Sequence, residues 1–279
     1  MKIAVLSGKG GTGKTFVAVN LASCADKAVY ADCDVEEPDG QLFLKPVIKN
    51  KTDVYVKIPE VNTLKCTGCK KCADFCKYNA LALVNGKLMI FNHICHSCSG
   101  CIVLCPQKAL TENQRTVGFI EEGISENVNC LTGCLNTGEV SGVPIIKSIM
   151  TKLPKEKTII IDCPPGSACT VMESIALSDF CILVAEPTIF GMSNLAMVYD
   201  LVKFFNKSAG AILNKCLDGQ INPSEQFCIE NKINIIAKIP FDSELGSLNS
   251  KGFIAVREND KYKQLFENIL KNIQTEALQ

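Results

Sequence analysis

The stretch KIAVLSGKGGTGKTFVAVNLASCA, residues 2–25, decides the fold of this chain. It opens with a short apolar run typical of a buried strand, continues through a glycine-rich loop, and ends in a segment with the length and composition of a helix. Strand, loop and helix in this order form a phosphate-binding unit, because the loop N–H groups and the helix N-terminus point at an anion. We therefore predict a nucleotide site at residues 8–15.

The loop fits the pattern G-x-x-x-x-G-K-[ST], whose residues divide the work of holding phosphates and magnesium. The glycines let the backbone close on the phosphates, Lys14 reaches the β- and γ-phosphate oxygens, and Thr15 offers a hydroxyl to Mg²⁺. Lys9 adds a second cation near the start of the loop. The predicted ATP ligands here are Gly8, Lys9, Gly10, Gly11, Thr12, Gly13, Lys14 and Thr15.

Further apolar runs follow the same rhythm, with helix-length segments between most of them. They lie at residues 28–31, 158–162, 180–185, 209–214 and 235–240. Continuous apolar strands alternating with helices predict an α/β fold, a mostly parallel sheet with helices on both faces. Residues 258–273 have apolar positions at helical spacing and predict a closing helix that faces the core. A membrane-surface helix is disfavoured, because basic and acidic residues are mixed along it.

The rhythm breaks between residues 61 and 112, where two similar cysteine-rich runs occur. CTGCKKCADFCKYNAL from Cys66 and CHSCSGCIVLCPQKAL from Cys95 share their cysteine spacing and their closing Ala-Leu, which makes them an internal repeat. We predict an inserted domain at 61–112 that divides the nucleotide-binding domain into residues 1–60 and 113–279.

Each run follows C-x₂-C-x₂-C-x₃-C, the spacing of bacterial ferredoxins with two [4Fe-4S] clusters, in which the fourth cysteine of each run ligates the other cluster. The insert is therefore predicted to be a small α+β ferredoxin-like domain. Zinc and disulfides are the weaker alternatives. The first cluster is expected to use Cys66, Cys69, Cys72 and Cys105, and the second Cys76, Cys95, Cys98 and Cys101.

Composition excludes several other classes. Lys plus Arg and Asp plus Glu both total 29, and Trp is absent, so neither a basic field nor a stacking platform favours nucleic acid. The absence of a leader-like start and of a long apolar run predicts a cytoplasmic protein without a membrane partner. Seventeen cysteines are an odd number, and eight of them lie in the two runs, which indicates metal binding.

With its two lysines, KGGTGKT resembles the deviant Walker A motif of the MinD, ParA, Mrp and nitrogenase iron-protein superfamily, in the subgroup that carries an inserted two-cluster ferredoxin domain. The resemblance covers nearly the whole chain outside the insert. It implies that Lys9 crosses a homodimer interface to the partner's nucleotide, so that hydrolysis depends on ATP-driven dimerisation. It also implies that Asp34, in DCDVEEPD, acts on the attacking water and near Mg²⁺, and that Asp162, in DCPPG, coordinates Mg²⁺ through water. For Asp34 the alternative is a solvated loop carboxylate.

The same resemblance implies weaker assignments near the end of the chain. Asn214 looks like the asparagine that reads adenine, and Pro240 and Asp242 look like a second loop beside the base. Because matches of three residues occur by chance, a simple turn at the end of a strand is the alternative for each.

Two cysteines outside the insert resemble a pair in the nitrogenase iron protein. Cys134 precedes Asp162 by 28 residues and Cys169 follows it by seven. The resemblance implies that one further [4Fe-4S] cluster is held between two chains, because two ligands per chain cannot complete a cluster alone. Small buried side chains are the alternative.

Three functions follow from these features. The first is an ATP-hydrolysing homodimer that couples hydrolysis to low-potential electron transfer toward a redox partner. The second is an Mrp-like scaffold that delivers an iron–sulfur cluster to an apo-protein recipient. The third is a MinD-like regulatory ATPase in which the clusters act as a sensor. The expected cofactors are ATP, Mg²⁺ and two [4Fe-4S] clusters per chain.

Overall fold

The computed structural model describes residues 1–155, 157–219 and 222–277. Its strands are β1 (Lys2–Leu6), β2 (Val29–Asp32), β3 (Val47–Val61), β4 (Leu81–Val84), β5 (Lys87–Ile90), β6 (Leu110–Ser125), β7 (Val128–Leu135), β8 (Ile159–Asp162), β9 (Phe180–Ala185), β10 (Ser208–Cys216) and β11 (Asn234–Pro240). Its helices are α1 (Lys14–Cys24), α2 (Gly40–Leu44), α3 (Lys71–Phe75), α4 (Gly100–Val103), α5 (Val143–Lys152), α6 (Cys169–Ile175), α7 (Ile189–Phe204), α8 (Pro223–Glu230), α9 (Ser243–Ser250), α10 (Ala255–Glu258) and α11 (Asp260–Glu276).

Nine strands form one sheet in the order β11-β10-β9-β1-β8-β2-β7-β6-β3. The pairs from β11 through β7 are parallel, and β6 and β3 continue the sheet in antiparallel pairing. The apolar runs predicted as strands appear as β2, β8, β9, β10 and β11, so the α/β fold with a mostly parallel sheet is confirmed.

Helices cover both faces of this sheet because successive strand residues point to opposite sides. In β1, Ala4 and Leu6 belong to the core under α5, α6, α7 and α8, whereas Ile3 and Val5 belong to the core under α1 and α11. The predicted closing helix is α11, and it buries Tyr262, Phe266, Ile269, Leu270 and Ile273. Among the described residues, none of the helices combines the length and the apolar character that crossing a bilayer requires.

The sequence did not predict the antiparallel edge of the sheet. Strands β3 and β6 pair over their whole lengths, but β7 pairs with β6 only from Gly118 to Ser125. The first half of β6 and its partner in β3 therefore extend beyond the sheet as a two-stranded ribbon. The first seven residues of β3, VIKNKTD, do not alternate between apolar and polar, and most of them are exposed. Periodicity therefore gave no strand signal there.

The cysteine-rich segment lies at the end of this ribbon. It holds the β4–β5 hairpin, α3, α4 and a small apolar core of its own, in which Ala80, Leu81, Cys101 and Leu110 are buried. The ribbon strands run across both predicted domain boundaries, because β3 ends at Val61 and β6 begins at Leu110.

Candidate functional sites

The loop between β1 and α1 has the backbone that a phosphate cradle needs. Gly11 and Gly13 have positive φ angles of 80° and 95°, a conformation that side chains disfavour. A Cβ at Gly13 would lie 2.2 Å from Nδ2 of Asn214, and one at Gly8 would lie 2.4 Å from the carbonyl oxygen of Asn194. Glycine is therefore required at both ends of the loop, which leaves its backbone free to close on an anion.

Lys14 is buried at the first position of α1 and lies between two predicted magnesium residues. Its Nζ is 2.6 Å from Oδ1 of Asp162 and 3.5 Å from Oδ2 of Asp34. Burial acts to lower the pKa of Lys14, but Asp162 and Asp34 outweigh it and the pKa is raised. Burial raises the pKa of Asp34 to about 6, although Lys14 acts in the opposite direction. The structure thus brings together the three residues, and Thr15 follows Lys14 in the same helical turn.

Two residues that the sequence analysis missed complete this network. The Tyr30 hydroxyl donates to Oδ2 of Asp162 at 2.8 Å, and Asp32 accepts hydrogen bonds from the N–H groups of Gly40 and Asp34. Burial and the nearby Asp162 raise the pKa of Asp32 well above its ordinary value. Asp32 lies two positions before Asp34 in the quoted DCD segment, so its place at the end of β2 was the available signal.

Lys9 is held by its own chain. Its Nζ lies 2.9 Å from Oε2 of Glu186, which follows β9, and Lys215 binds the other oxygen of the same carboxylate at 2.6 Å. Lys215 also donates to the carbonyl oxygen of Gly11 at 2.9 Å. The hydrogen bonds from both lysines lower the pKa of Glu186, although its partial burial acts to raise it. Sequence analysis missed Glu186, because only the fold brings the end of β9 beside the loop.

The three residues predicted near the base line one cavity together with Gly11 and Gly13. Asn214 and Pro240 lie at strand ends beside the loop, and Asp242 begins the turn into α9. Asn214 donates to the carbonyl oxygen of Thr12 at 2.8 Å. Asp242 caps α9, and hydrogen bonds from Lys261 and Tyr262 lower its pKa to about 2. Reading of adenine by these residues stays a prediction.

The eight cysteines of the insert surround two cavities. Cys66, Cys69, Cys72 and Cys105 line the first cavity, and Cys76, Cys95, Cys98 and Cys101 line the second. These are the same two groups as in the crosswise prediction, each combining three cysteines of one run with the fourth of the other. In the part of the chain that the structure describes, no three His, Cys, Asp or Glu side chains form a group that could hold a metal ion. Cluster binding stays a prediction.

The fourth cysteine of each run accepts a backbone hydrogen bond. Ala80 N lies 3.4 Å from Sγ of Cys76, and Ala109 N lies 3.3 Å from Sγ of Cys105. Although desolvation acts to raise it, the pKa of Cys105 is lowered, because the N–H groups from Gln107 to Leu110 face its sulfur. Amide groups directed at a sulfur stabilise a thiolate, which is the form that binds metal.

Cys134 and Cys169 both lie at the edge of the sheet where the parallel strands end. Cys134 is half-buried near the end of β7, and Cys169 is exposed at the first position of α6. Burial and the nearby Glu121 raise the pKa of Cys134 to about 11. A shared cluster at this pair stays a prediction.

A parallel sheet with a glycine loop, a buried lysine and two carboxylates at its strand ends defines a P-loop nucleotide-binding protein. The model of the CobQ/CobB/MinD/ParA nucleotide binding domain matches residues 3–253, and the chain belongs to that family. It therefore has the nucleotide-binding ATPase fold of MinD- and ParA-like proteins, which confirms this part of the resemblance. The inserted ferredoxin domain is not part of what the family match shows.

Two similar proteins are the uncharacterized MJ0578 and MJ0579 of Methanocaldococcus jannaschii. MJ0578 is 30% identical over 279 residues, which is 96% of both chains. MJ0579 is 28% identical and covers 93% of both chains.

Solved structures of MinD share the fold. The septum site-determining protein MinD of Pyrococcus horikoshii, complexed with Mg-ADP, has a TM-score of 0.61 at 21% identity and covers 98% of this chain and 95% of its own. The cell division ATPase MinD of Pyrococcus furiosus has a TM-score of 0.62 at 19% identity and covers 98% of both chains.

Proposed function

We propose that this protein is an ATP-hydrolysing iron–sulfur protein in which a nucleotide-gated homodimer couples hydrolysis to low-potential electron transfer. The observation that carries the proposal is the pair of cysteine cavities, each assembled crosswise from the two runs, on a ribbon that continues the sheet of the ATPase. A chain of this family that only bound nucleotide would have no use for eight cysteines in that arrangement.

The cavities fit four-iron clusters better than single ions. In a [4Fe-4S] cluster each thiolate binds a different iron, so the four sulfurs surround a cavity and do not converge on one point. Cys66 and Cys105 lie near enough to Cys72 that they act with its burial to raise its pKa, which is expected when thiols face a common space. Bound iron would reverse this effect, because a cation favours the thiolate. The clusters supply one-electron chemistry when they are bound.

The nucleotide site has the parts that phosphoryl transfer requires. Lys14 is a buried cation at the start of α1 and would contact the β- and γ-phosphates of bound ATP, and Thr15 and Asp162 would hold Mg²⁺ directly or through water. Asp34, partly buried and with a pKa raised to about 6, is suited to orient the attacking water near neutral pH. The Tyr30 hydroxyl donates to Oδ2 of Asp162, whereas Lys14 contacts Oδ1, so the carboxylate is held at both oxygens.

The dimer gives Lys9 its role in this proposal. A cation that reaches the partner's phosphates stabilises transition-state charge in the manner of an arginine finger. In the structure Lys9 is paired with Glu186, so that ion pair must break before Lys9 can cross to a partner. Hydrolysis would then accelerate only on dimerisation.

A path of direct contacts supports coupling between the nucleotide site and the insert. Val35, which follows Asp34, accepts a hydrogen bond at 2.8 Å from the N–H of Leu135 at the end of β7. The loop that follows β7 reaches the ribbon, where Glu139 pairs with Arg115 and Asn136 N donates to Val117 O at 2.9 Å. A change at Asp34 can therefore move the base of the ribbon that carries the cysteine cavities.

The test is electron transfer from anaerobically reconstituted protein whose clusters have been chemically reduced. Mg-ATP should change the rate at which the protein reduces an acceptor, while the iron content stays at about eight per chain. Mg-ADP and a Lys14→Met variant serve as controls, and neither should reproduce the ATP effect. Reconstituted protein that holds fewer than about four irons per chain would remove the proposal.

A second candidate, delivery of a cluster to an apo-protein, rests on Cys134 and the exposed Cys169 at the strand-end edge. A cluster shared between two chains would raise the iron content from about sixteen to about twenty per dimer. The extra iron should disappear in a Cys134→Ser, Cys169→Ser variant and should pass, with sulfide, to an apo-ferredoxin in an ATP-dependent manner. A count of sixteen that the variant leaves unchanged excludes this candidate.

A further inference from the structure

The two cysteine cavities differ in the charge around them. The insert, residues 61–112, holds six lysines against Asp74 and Glu112, a net charge of +4 in a chain whose net charge is zero. The remaining residues therefore carry a charge of −4. The lysines are Lys65, Lys70, Lys71, Lys77, Lys87 and Lys108, and all six are exposed.

Both carboxylates of the insert already have a basic partner. Asp74 pairs with Lys70 at 3.2 Å, and Glu112 pairs with Lys57 of the ribbon at 2.8 Å. Within the described residues the other five lysines of the insert form no ion pair. Their ammonium groups are therefore free to attract an external negative charge.

Four of these six lysines lie in or next to the segments that line the first cavity, while Lys77 lines the second. Lys70 lines it, Lys65 and Lys71 stand next to the ligand positions Cys66 and Cys72, and Lys108 lies between two residues of its wall. We call Lys65, Lys70, Lys71 and Lys108 the basic rim. Cys69 is exposed in the same cavity and is followed directly by Lys70, so a rim lysine stands beside the point where a cluster would approach the surface.

The second cavity is lined by aromatic side chains and by residues of the ribbon. Phe75, Tyr78 and His96 line it, the last two stacked with ring centroids 3.7 Å apart, and Lys57 and Pro59 of the ribbon close one side. Ribbon residues line both cavities, but Lys57 and Pro59 lie closer to the sheet along β3 than Leu110, which pairs with Val61 at the far end of the ribbon, so the second cavity is the one nearer to the ATPase.

We propose that the basic rim of the first cavity is the docking surface for an acidic redox protein, which exchanges single electrons with the cluster bound there. This inference rests on the proposed function, because it needs a cluster in the first cavity. One electron leaves one partner and enters the other, and no bond is made or broken. Two oxidised clusters with their eight thiolates would carry a charge of about −4 and offset the net charge of the insert, so the attraction would come from the exposed ammonium groups nearest to the approaching protein.

An apolar residue beside the rim strengthens the assignment. Leu64, next to Lys65, is 95% exposed. A docking surface commonly combines an apolar contact, which slows dissociation, with surrounding charges, which speed association and select the partner. Leu64 and Lys65 are neighbours, so an apolar contact and a positive charge are available together.

The test measures binding of the full-length, iron-loaded protein to a fluorescently labelled flavodoxin of net negative charge. Association should slow at least tenfold when ionic strength rises from about 0.01 M to about 0.15 M. Basic cytochrome c, used as the opposite-charge probe, should bind more weakly and without this salt dependence. The rate of cluster reduction by reduced flavodoxin should follow the binding data.

Charge reversal locates the surface. The variant Lys65→Glu, Lys71→Glu, Lys108→Glu should lower the association rate more than tenfold, and Leu64→Ser should raise the dissociation rate with little change in the salt dependence. A matched variant, Lys232→Glu, Lys251→Glu, Lys271→Glu, changes the net charge equally on exposed positions of the ATPase region. It should lower the rate less than threefold.

The iron content of the protein distinguishes a failure of the proposed function from a failure of the proposed docking surface. If the parent chain holds no clusters, the proposed function fails. If it holds about eight irons and the two triple variants weaken binding equally, or salt has no effect, the basic rim is not the docking surface. Should the rim variant lose iron, Lys65→Gln, Lys71→Gln, Lys108→Gln removes the charges without reversing them and should retain about half of the effect on the logarithm of the rate.

Discussion

Lys14 and Asp162 are 148 residues apart in sequence and meet at 2.6 Å, whereas the eight cysteines around the two cavities all lie within residues 66–105. The nucleotide site depends on seven parallel strands and on side chains that are buried at their ends. The insert has few buried residues, and its cavities are built from local turns. The ATPase region therefore folds on its apolar core, whereas under the proposed function the insert would need bound clusters for much of its stability.

Lys14→Met is expected to give the largest difference between the effect on the ATPase region and the effect on the insert. Loss of the cation between Asp34 and Asp162 should lower ATP hydrolysis by about 10²–10³-fold, because one charged partner of the phosphates is gone. The iron content should stay at the parent value, as measured by colorimetric iron assay. Lys271→Met, an exposed lysine on α11, is the control and should retain parental hydrolysis.

A Cys101→Ser variant probes the other region. Cys101 is the buried cysteine of the second cavity and a proposed cluster ligand, so we expect the loss of about half of the iron and an earlier melting transition for the insert. ATP binding should remain within about twofold of the parent. The control is Cys181→Ser, a buried cysteine of β9 away from the cavities, which should keep all of the iron. Equal iron loss in both variants would contradict a local origin of the effect.

The raised pKa of Asp34 predicts a pH dependence that belongs to the nucleotide site alone. With a pKa of about 6, Asp34 loses its charge as the pH falls through 6, whereas an ordinary aspartate stays charged there. Hydrolysis that needs the carboxylate should therefore fall about tenfold between pH 7 and pH 5.

The measurement is the pH profile of the single-turnover rate. Asp34→Asn should lower the rate and remove the step near pH 6, while the cluster absorbance should show no matching transition. A parental step that survives in Asp34→Asn would assign the titration to another group.

The raised pKa of Asp34 also makes the stability of the folded protein depend on pH. Because the pKa of Asp34 is raised in the folded protein, the folded state binds the proton more tightly than the unfolded state. The stabilisation from protonation is fully present below the ordinary pKa and is lost as the pH rises through about 6. The free energy of unfolding of the ATPase region, measured by urea titration, should therefore depend less on pH between 4 and 6 in Asp34→Asn.

The smallest expected effect is that of Tyr30→Phe. The change removes the hydroxyl that donates to Asp162 and should destabilise the ATPase region by about 1–2 kcal/mol, because a buried carboxylate loses a hydrogen bond. It should also raise the Mg²⁺ concentration that gives half-maximal hydrolysis. Tyr199→Phe is the control, since its hydroxyl makes only a long contact of 3.4 Å with the Asn231 carbonyl oxygen. Unfolding by urea and a Mg²⁺ titration of hydrolysis measure the two effects.

The sequence predicted the apolar strands but not the edge of the sheet. Strands such as β8 and β9 are buried throughout and read as continuous apolar runs. Strand β3 has mostly exposed residues, and its place depends on pairing with β6, which lies beyond the insert in sequence. A strand whose stability comes from a distant partner has no local signal, so periodicity could not find it.

The candidate sites divide in the same way. Spacing alone gave the glycine loop, its lysines and the crosswise grouping of cysteines, because each motif is a run of neighbouring residues whose geometry follows from the backbone. Glu186, Tyr30 and Asp32 were missed, since their roles arise only where strand ends meet.

The sequence by itself therefore determined the class of the nucleotide-binding domain and the composition of the cysteine cavities. Only the tertiary structure decided that Glu186 forms an ion pair with Lys9, that Tyr30 donates a hydrogen bond to Asp162, and that a ribbon joins the insert to the sheet. The physical reason is that hydrogen bonds and ion pairs act over a few ångströms, and the fold alone brings residues distant in sequence within that range.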